Sequence, residues 1–190
     1  MRVFISINLS DEVKGEISEF MNLLKSYDAP VRWVRPEGIH LTIKFLGEVE
    51  RERVELIRES LSKDLTDTKP FSITLKGTGV FPDYRRPRVL WIGIEPSDNL
   101  LEVYNKTEDS LSNIGFKKET RPFRPHITIG RVKGQYGLDP VLREIRGHKS
   151  EEFGKIDVSG IHIMESLLRP EGAVYRSVYD LNFREGGSDG

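Results

Sequence analysis

The sequence predicts an α+β fold of two pseudo-symmetric lobes, each a mainly antiparallel sheet with helices on its outer face, around a central cleft. Two observations lead to this prediction. Strand-like and helix-like patterns alternate along the chain, and the pattern repeats at an offset of 86 residues, from His40 to His126. One continuous sheet would satisfy the same periodicity, so both arrangements stay open here. Either arrangement brings the two His-containing strands together at the pseudo-twofold axis.

The elements of the first repeat follow from capping residues and apolar spacing. Arg2 opens an apolar, strand-like run, and Ser10 can cap the helix after it. That helix has an apolar stripe formed by Ile17, Phe20, Leu23 and Leu24. After the strand of His40, we expect a second helix from about Glu50 to Lys63 and a strand from Phe71 to Val80.

The second repeat begins with Arg88-Val89, which matches Arg2-Val3 at the same offset. The remaining elements are expected as follows: a helix from about Ser97 to Gly115, a short helix with Asp139 as cap, Pro140 at N1 and Gly147 as stop, and strands at Lys155 to Met164 and Val174 to Phe183. We therefore expect one bilobal domain over residues 1–185, followed by a flexible tail at 186–190.

Composition excludes several classes of protein and site. The 190 residues contain no cysteine, so disulfides, thiolate zinc sites and a cysteine nucleophile are excluded. The apolar runs are only a few residues long, whereas a bilayer span needs about 20. The start of the sequence does not look like a signal peptide. We therefore expect a cytoplasmic monomer that needs no membrane, metal ion or cofactor.

The two repeated strands each carry a His-x-Thr pair. Alternation in a strand puts His40, Thr42 and Lys44 on a polar face and Ile39, Leu41, Ile43 and Phe45 on a core face. His126 and Thr128 repeat the pattern. Strict alternation would then point Arg131 to the apolar side, so either the strand ends at Gly130 or a bulge there re-aims Arg131.

Paired imidazoles and hydroxyls suit the opening of a phosphodiester. In-line attack needs a base for the nucleophile and an acid for the leaving oxygen on opposite sides of phosphorus, and histidine can serve as either near neutral pH. Thr42 and Thr128 can donate to non-bridging oxygens, and Arg124 and Arg131 can supply counter-charge. Residues 117–133 carry six basic side chains against one acidic, which suits an anionic ligand.

The motifs resemble a known superfamily. His40-Leu41-Thr42-Ile43 and His126-Ile127-Thr128-Ile129 are similar to the two H-x-T-hydrophobic signatures of the two-histidine (2H) phosphoesterases. Five segments around the motifs make the resemblance more specific: Arg32-Trp33-Val34, Lys44-Phe45-Leu46-Gly47-Glu48-Val49, Phe81-Pro82, Pro87-Arg88-Val89-Leu90-Trp91 and Phe123-Arg124-Pro125. They resemble the bacterial and archaeal RNA 2′,3′-cyclic phosphodiesterases, historically called 2′-5′ RNA ligases, over nearly the whole chain.

This resemblance implies hydrolysis of RNA 2′,3′-cyclic phosphate ends, with tRNA fragments as one candidate source, to 2′-phosphomonoesters. It also implies that His40 is the proton donor to the 3′ oxygen, that His126 is the base that activates water, and that Arg131 lies near the nucleotide. The nearly symmetric motifs alone do not assign these roles. Two alternatives stay open: a ligase forming 2′-5′ bonds at the same site, and a non-catalytic module that binds RNA ends. The role of Lys44 is also open.

Other aromatic and histidine residues receive structural expectations. Five aromatic side chains near the motifs can stack on a base, although packing is the favoured interpretation for each: Trp33, Phe81, Tyr84, Phe123 and Tyr136. Trp91 is expected in the core. His148 and His162 are expected in a loop and on an ordinary strand, outside the catalytic site.

Overall fold

The computed structural model describes residues 1–184, which form four helices and nine strands. The helices are α1 (Asp11–Lys25), α2 (Arg51–Leu65), α3 (Asp98–Asn113) and α4 (Asp139–Gly147). The strands are β1 (Arg2–Asn8), β2 (Val31–Trp33), β3 (His40–Glu48), β4 (Phe71–Phe81), β5 (Val89–Ile94), β6 (His126–Val132), β7 (Glu152–Val158), β8 (Gly160–Arg169) and β9 (Gly172–Asn182). The expected tail at 186–190 lies outside the described residues.

Helices α1 and α3, which occupy equivalent places in the two repeats, begin with serine caps near the predicted positions. The Val13 amide donates to Ser10 Oγ over 3.3 Å at the start of α1, and the Leu100 amide donates to Ser97 Oγ over 3.1 Å at the start of α3. The expectation for α4 is wrong by one residue. Asp139 is its first helical residue, and Leu138 occupies the N-cap position without a side-chain hydrogen bond.

The strands form two antiparallel sheets, so the alternative of one continuous sheet is wrong. The first sheet has the order β3-β1-β8-β9, and the second has the order β2-β6-β5-β4-β7. The offset of 86 residues matches β3, β1 and β4 with β6, β5 and β8, while β7 and β9 correspond only by their place in the two sheets and β2 is an addition at the edge of the second. Strand β4 comes from the first half of the chain but lies in the second sheet, and β8 does the reverse. In all, the first half contributes β2 and β4 to the second sheet, and the second half contributes β8 and β9 to the first.

The expected single strand from Lys155 to Met164 is wrong because the chain changes sheets within it. Strand β7 ends at Val158 after pairing with β4, and β8 begins at Gly160 in the first sheet. A Cβ atom on Gly160 would lie only 2.4 Å from the carbonyl oxygen of Leu181, so glycine permits a close approach to β9. Only Ser159 separates the two strands, so the strand-like pattern continues across the change of sheet and does not reveal it.

The helices cover one face of each sheet and leave the other face for the cleft. Helices α2 and α3 pack on each other, with α3 against β3 and α2 against β9. Helices α1 and α4 cover the second sheet, where Phe20 of α1 contacts Phe153 of β7. Strands β3 and β6 lie next to each other where the sheets meet. None of the helices in residues 1–184 combines the length and apolar character that a membrane crossing requires.

Candidate active site

His40 is held at the beginning of β3 by two aromatic rings and one backbone carbonyl. The ring centroid of Phe4 lies 4.8 Å away and that of Tyr175 lies 5.0 Å away. The Nδ1 atom lies 2.7 Å from the carbonyl oxygen of Gly38. A Cβ atom on Gly38 would lie 3.0 Å from the Tyr175 ring, so glycine makes room for this packing.

His126 has the matching arrangement at the beginning of β6. Its Nδ1 atom lies 2.8 Å from the carbonyl oxygen of Arg124, which is the counterpart of Gly38 in the repeat. The Phe81 ring contacts it edge-on at 4.8 Å between centroids. A carbonyl oxygen can only accept a hydrogen bond, so Nδ1 is the protonated nitrogen in each neutral ring. Among the described residues neither Nε2 has a hydrogen-bond partner, which leaves both available for proton transfer.

The surroundings of both rings disfavour the imidazolium form. Burial lowers the pKa of His40 below its ordinary value of 6.5, the bond to Gly38 opposes this, and the positive charge of Lys14 lowers it further. Burial also lowers the pKa of His126, with the Arg124 carbonyl opposing and the charge of Arg131 adding to the effect. Both pKa values therefore lie on the acid side of 6.5.

The two threonines lie one pleat beyond the histidines, as predicted. Thr42 pairs with Ser6 of β1, and Thr128 pairs with Trp91 of β5. Both threonine side chains are partly exposed, whereas the residues that flank them in the chain are buried. Each hydroxyl therefore faces the same side of its sheet as the preceding histidine. Trp91 shares this face and is only partly buried, so its expected place in the core is wrong.

Each His-x-Thr strand then contains a bulge at the equivalent position. In β3, Ile5 pairs with Lys44 and Ser6 with Thr42, which leaves Ile43 as the extra residue. In β6, Leu90 pairs with Gly130 and Trp91 with Thr128, which leaves Ile129 as the extra residue. An extra residue reverses the alternation of side chains beyond it. The strand continues to Val132, and Arg131 lies exposed on the cleft side, in agreement with the bulge alternative.

The bulge in β3 makes the sequence assignment of Lys44 and Phe45 wrong. Phe45, expected in the core, is 71% exposed and contacts Phe4 at 5.9 Å between ring centroids. Lys44, expected on the cleft face, is buried, and its Nζ atom lies 2.6 Å from Glu108 Oε1 in α3 and 2.9 Å from the carbonyl oxygen of Lys117. The offset of 86 residues, which matches Phe45 with Arg131, is the signal that could have found this aromatic residue.

Arginines of the second sheet face one another without acidic partners. Arg131 pairs across the strands with Arg32 of β2, which also lies exposed. Within residues 1–184 neither guanidinium forms an ion pair, and neither does that of Arg124. Two like charges directly opposite each other are unfavourable unless an anion lies between them. This region of the cleft therefore suits a phosphate.

The other residues singled out in the sequence mostly have partners within the fold. Phe123 stacks on Tyr104, and the Arg146 guanidinium lies over the Tyr84 ring. Trp33 packs against the core, whereas Tyr136 is 95% exposed. His148 at the end of α4 bonds to the Glu144 carbonyl, away from the His-x-Thr strands. His162 of β8 bonds to Asp180 and lies in the cross-strand row of Ser6 and Thr42, so it shares the cleft face of the first sheet. No group of three or more His, Asp or Glu side chains able to hold a metal ion lies within the described part of the chain.

Fold and site together define a phosphoesterase with an internally duplicated chain. The family model of LigT-like phosphoesterases matches the chain twice, at residues 7–91 and 92–175, which reproduces the repeat. The chain belongs to the LigT-like phosphoesterase family.

Curated relatives and solved structures agree with this assignment. The chain is 39% identical to an RNA 2′,3′-cyclic phosphodiesterase of Thermotoga maritima over 98% of this chain and 97% of that protein. It is 37% identical to one of Methanocaldococcus jannaschii over 94% of this chain and 98% of that protein. The structure of TT0787 from Thermus thermophilus matches with a TM-score of 0.82 and 25% identity, over 98% of this chain and 100% of that one. E. coli LigT in complex with 3′-AMP has the same fold, with a TM-score of 0.78 and 22% identity, over 97% and 98% of the two chains.

Proposed function

We propose that this chain hydrolyses RNA 2′,3′-cyclic phosphate ends to 2′-phosphomonoesters without a metal ion. The observation that carries the proposal is the pair of imidazoles on neighbouring strands, each with Nδ1 bonded to a carbonyl and Nε2 free. The full-length relatives named RNA 2′,3′-cyclic phosphodiesterase support the choice of substrate.

His126 and His40 divide the proton transfers. His126 Nε2 takes a proton from water as the water oxygen attacks phosphorus. The bond from phosphorus to the 3′ oxygen breaks, and protonated His40 gives its Nε2 proton to that oxygen. The bond to the 2′ oxygen stays intact, so the product is a 2′-phosphomonoester. The two rings then exchange protons with solvent and return to their starting states.

Thr42, Thr128, Arg124 and Arg131 stabilise the negative charge that grows on the non-bridging oxygens. The hydroxyls of Thr42 and Thr128 donate to these oxygens from the cleft face. Arg131 acts electrostatically on His126, and its unpaired guanidinium is free to bind the phosphate. The exposed side chain of Arg124 contributes from the loop before β6, while its carbonyl orients His126.

Phe45 supplies a stacking surface for the terminal base. Its ring is a large exposed aromatic group on the face that carries His40, and the Phe4 ring packs beside it as its cross-strand partner. A base stacks on such a ring regardless of sequence because every base has a π face. This position agrees with an enzyme that acts on RNA ends in general.

The deciding experiment incubates pure protein with 2′,3′-cyclic AMP in the presence of EDTA and identifies the product. We expect adenosine 2′-phosphate as the single regioisomer, at a rate that EDTA does not change. Formation of the 3′-phosphate, or loss of turnover on chelation, contradicts the proposal. Adding RNA with a 5′-hydroxyl end in a parallel reaction measures how much joined 2′-5′ product competes with hydrolysis.

A further inference from the structure

The loop between β4 and β5 forms an arginine-rich cavity beside the cleft. We name it the arginine pocket, and its wall includes Phe81, Asp83, Arg85, Arg86 and Arg88. Its volume is about 560 Å³, enough for a phosphate group and part of a sugar. The three arginine side chains are exposed and belong to the wall of one cavity.

The positive charge of the arginine pocket is only partly balanced by the residues of its wall. Among residues 1–184, no ion pair involves Arg85, Arg86 or Arg88. The one carboxylate present, Asp83, accepts hydrogen bonds from the backbone amides of Arg85 and Arg86 over 2.8 Å and 3.1 Å. Asp83 therefore folds the loop, and a net positive charge remains for a ligand.

The loop is fixed at both ends, so the arginine pocket is preformed. The Arg88 amide donates to the Phe81 carbonyl over 2.7 Å, and the Arg88 carbonyl accepts from the Val132 amide over 2.9 Å. The Arg146 guanidinium of α4 lies 4.2 Å from the centre of the Tyr84 ring and anchors the middle of the loop. A site that is already ordered loses less entropy when a ligand binds.

The arginine pocket continues the catalytic cleft. Phe81 forms part of its wall and also touches the His126 ring at 4.8 Å. Phe81, Val89 and Arg131 form one cross-strand row over β4, β5 and β6. Neighbouring strands are about 4.8 Å apart, so the row spans roughly 10 Å from Phe81 to Arg131. An RNA chain whose end reacts at His126 can reach this distance with its next phosphate.

We propose that the arginine pocket binds the phosphate on the 5′ side of the terminal nucleoside, an inference that rests on the proposed function. Guanidinium groups suit this role because their planar donors match phosphate oxygens in pairs. The reacting cyclic phosphate already has the histidines, threonines and Arg131. The three additional arginines therefore bind a second phosphate. They make an RNA chain a better substrate than a cyclic mononucleotide.

The test compares two substrates that differ by one group, 2′,3′-cyclic AMP with and without a 5′-phosphate. In the unaltered protein the 5′-phosphate should raise kcat/KM by about tenfold or more, as for one charge-assisted contact. The triple variant Arg85→Gln, Arg86→Gln, Arg88→Gln should lose this advantage and keep its turnover of the simpler substrate. With a short RNA, the salt dependence of log kcat/KM should also fall by about one unit of slope per lost contact.

The single variants Arg85→Gln and Arg88→Gln keep the test valid if the triple variant does not fold. Arg51→Gln, which removes an exposed charge from α2 on the outer face, is the matched control and should change neither substrate. Equal turnover of both substrates by the unaltered protein overturns the assignment of the arginine pocket. So does an equal loss for both substrates in the variants. Failure of the unaltered protein on both substrates would instead overturn the proposed function.

Discussion

The strand that carries His40 and the strand that carries His126 share one backbone design but present different groups after the bulge. In both strands, the backbone carbonyl two residues before the histidine bonds to its imidazole. One extra residue in the strand then turns the side chain five residues after the histidine toward the cleft. That position is Phe45 in the first strand and Arg131 in the second. The duplicated backbone thus holds two imidazoles in the same way, while the position after the bulge presents an apolar ring in one copy and a charge in the other.

The residue just before Phe45 or Arg131 differs for a packing reason. A Cβ atom on Gly130 would lie 2.7 Å from a Val31 methyl group of β2, so only glycine fits beneath that added strand. The first sheet has no strand beyond β3 at its edge within residues 1–184, and Lys44 fills the space by reaching Glu108 in α3. The surroundings of the two equivalent bulges therefore differ, with an added edge strand beside Gly130 in one lobe and a buried ion pair at Lys44 in the other.

The largest expected effect comes from removing either imidazole. His40→Ala and His126→Ala should each lower kcat on 2′,3′-cyclic AMP by about 10²- to 10⁴-fold, since each removes an acid or a base. Thermal unfolding should change little. His148→Ala, at the end of α4, is the control and should keep full turnover. Full turnover in either His40→Ala or His126→Ala would show that the two histidines do not contribute equally to the reaction.

Replacing Arg131 should have the next largest effect. Arg131→Gln should lower kcat/KM by about 10²-fold, because an electrostatic contact to the charged phosphate is lost. Arg131→Lys should recover part of the loss, since the charge stays while the planar pair of donors does not. Steady-state kinetics of the three proteins measure this order. Equal activity of Arg131→Gln and the unaltered protein would show that the re-aimed guanidinium does not contact substrate.

Lys44→Met should mainly lower stability, because it leaves the Glu108 carboxylate buried without its cation. The side chains of Lys44 and Glu108 are only 9% and 7% exposed. Breaking such a pair costs about 3 to 5 kcal/mol of unfolding free energy, measured by chemical denaturation. Lys106→Met is the control, since it breaks an exposed pair with Glu102 and should cost less than about 1 kcal/mol. A similar loss in both variants would contradict a larger contribution of the buried Lys44–Glu108 pair to stability.

Phe45→Ala should raise KM by about tenfold with little change in kcat, since stacking on one base contributes about 1 to 3 kcal/mol. Phe45→Trp should retain binding because the stacking surface remains. Leu56→Ala, an exposed apolar residue on the outer helix α2, should leave KM unchanged. A kcat effect as large as that of the histidine variants would indicate that Phe45 positions His40 rather than the base.

The pH profile provides the finest comparison between the two rings. The proposed mechanism uses one protonated and one neutral imidazole, so we expect activity to fall on both sides of an optimum. Both pKa values are lowered from 6.5, which places the optimum of kcat/KM for the free enzyme below pH 6.5. Arg131→Gln removes a charge that lowers the pKa of His126, so the acid limb should move to higher pH. An optimum well above 6.5 would contradict the lowered values.

The sequence predicts the local features of this fold better than its long-range ones. Ser10 and Ser97 cap their helices through bonds that span three residues, and His40 and His126 share strand faces with the threonines two residues later, so nearby residues decide both outcomes. The position of Phe45 depends instead on how β3 pairs with β1, where one extra residue reverses the faces. The break before Gly160 likewise depends on the approach of β9. Neither pairing partner is adjacent in sequence, so alternation alone places these residues wrongly.

The exchange of β4 and β8 between the sheets ties the two walls of the cleft together covalently. Removing the second half of the chain would take both β8 and β9 from the first sheet and leave only β3 and β1, whereas removing the first half would take β4 from between β5 and β7. A half-length polypeptide could complete such a sheet only by borrowing the missing strands from a second copy. The interlaced connections therefore make the two walls of the cleft parts of one folding unit.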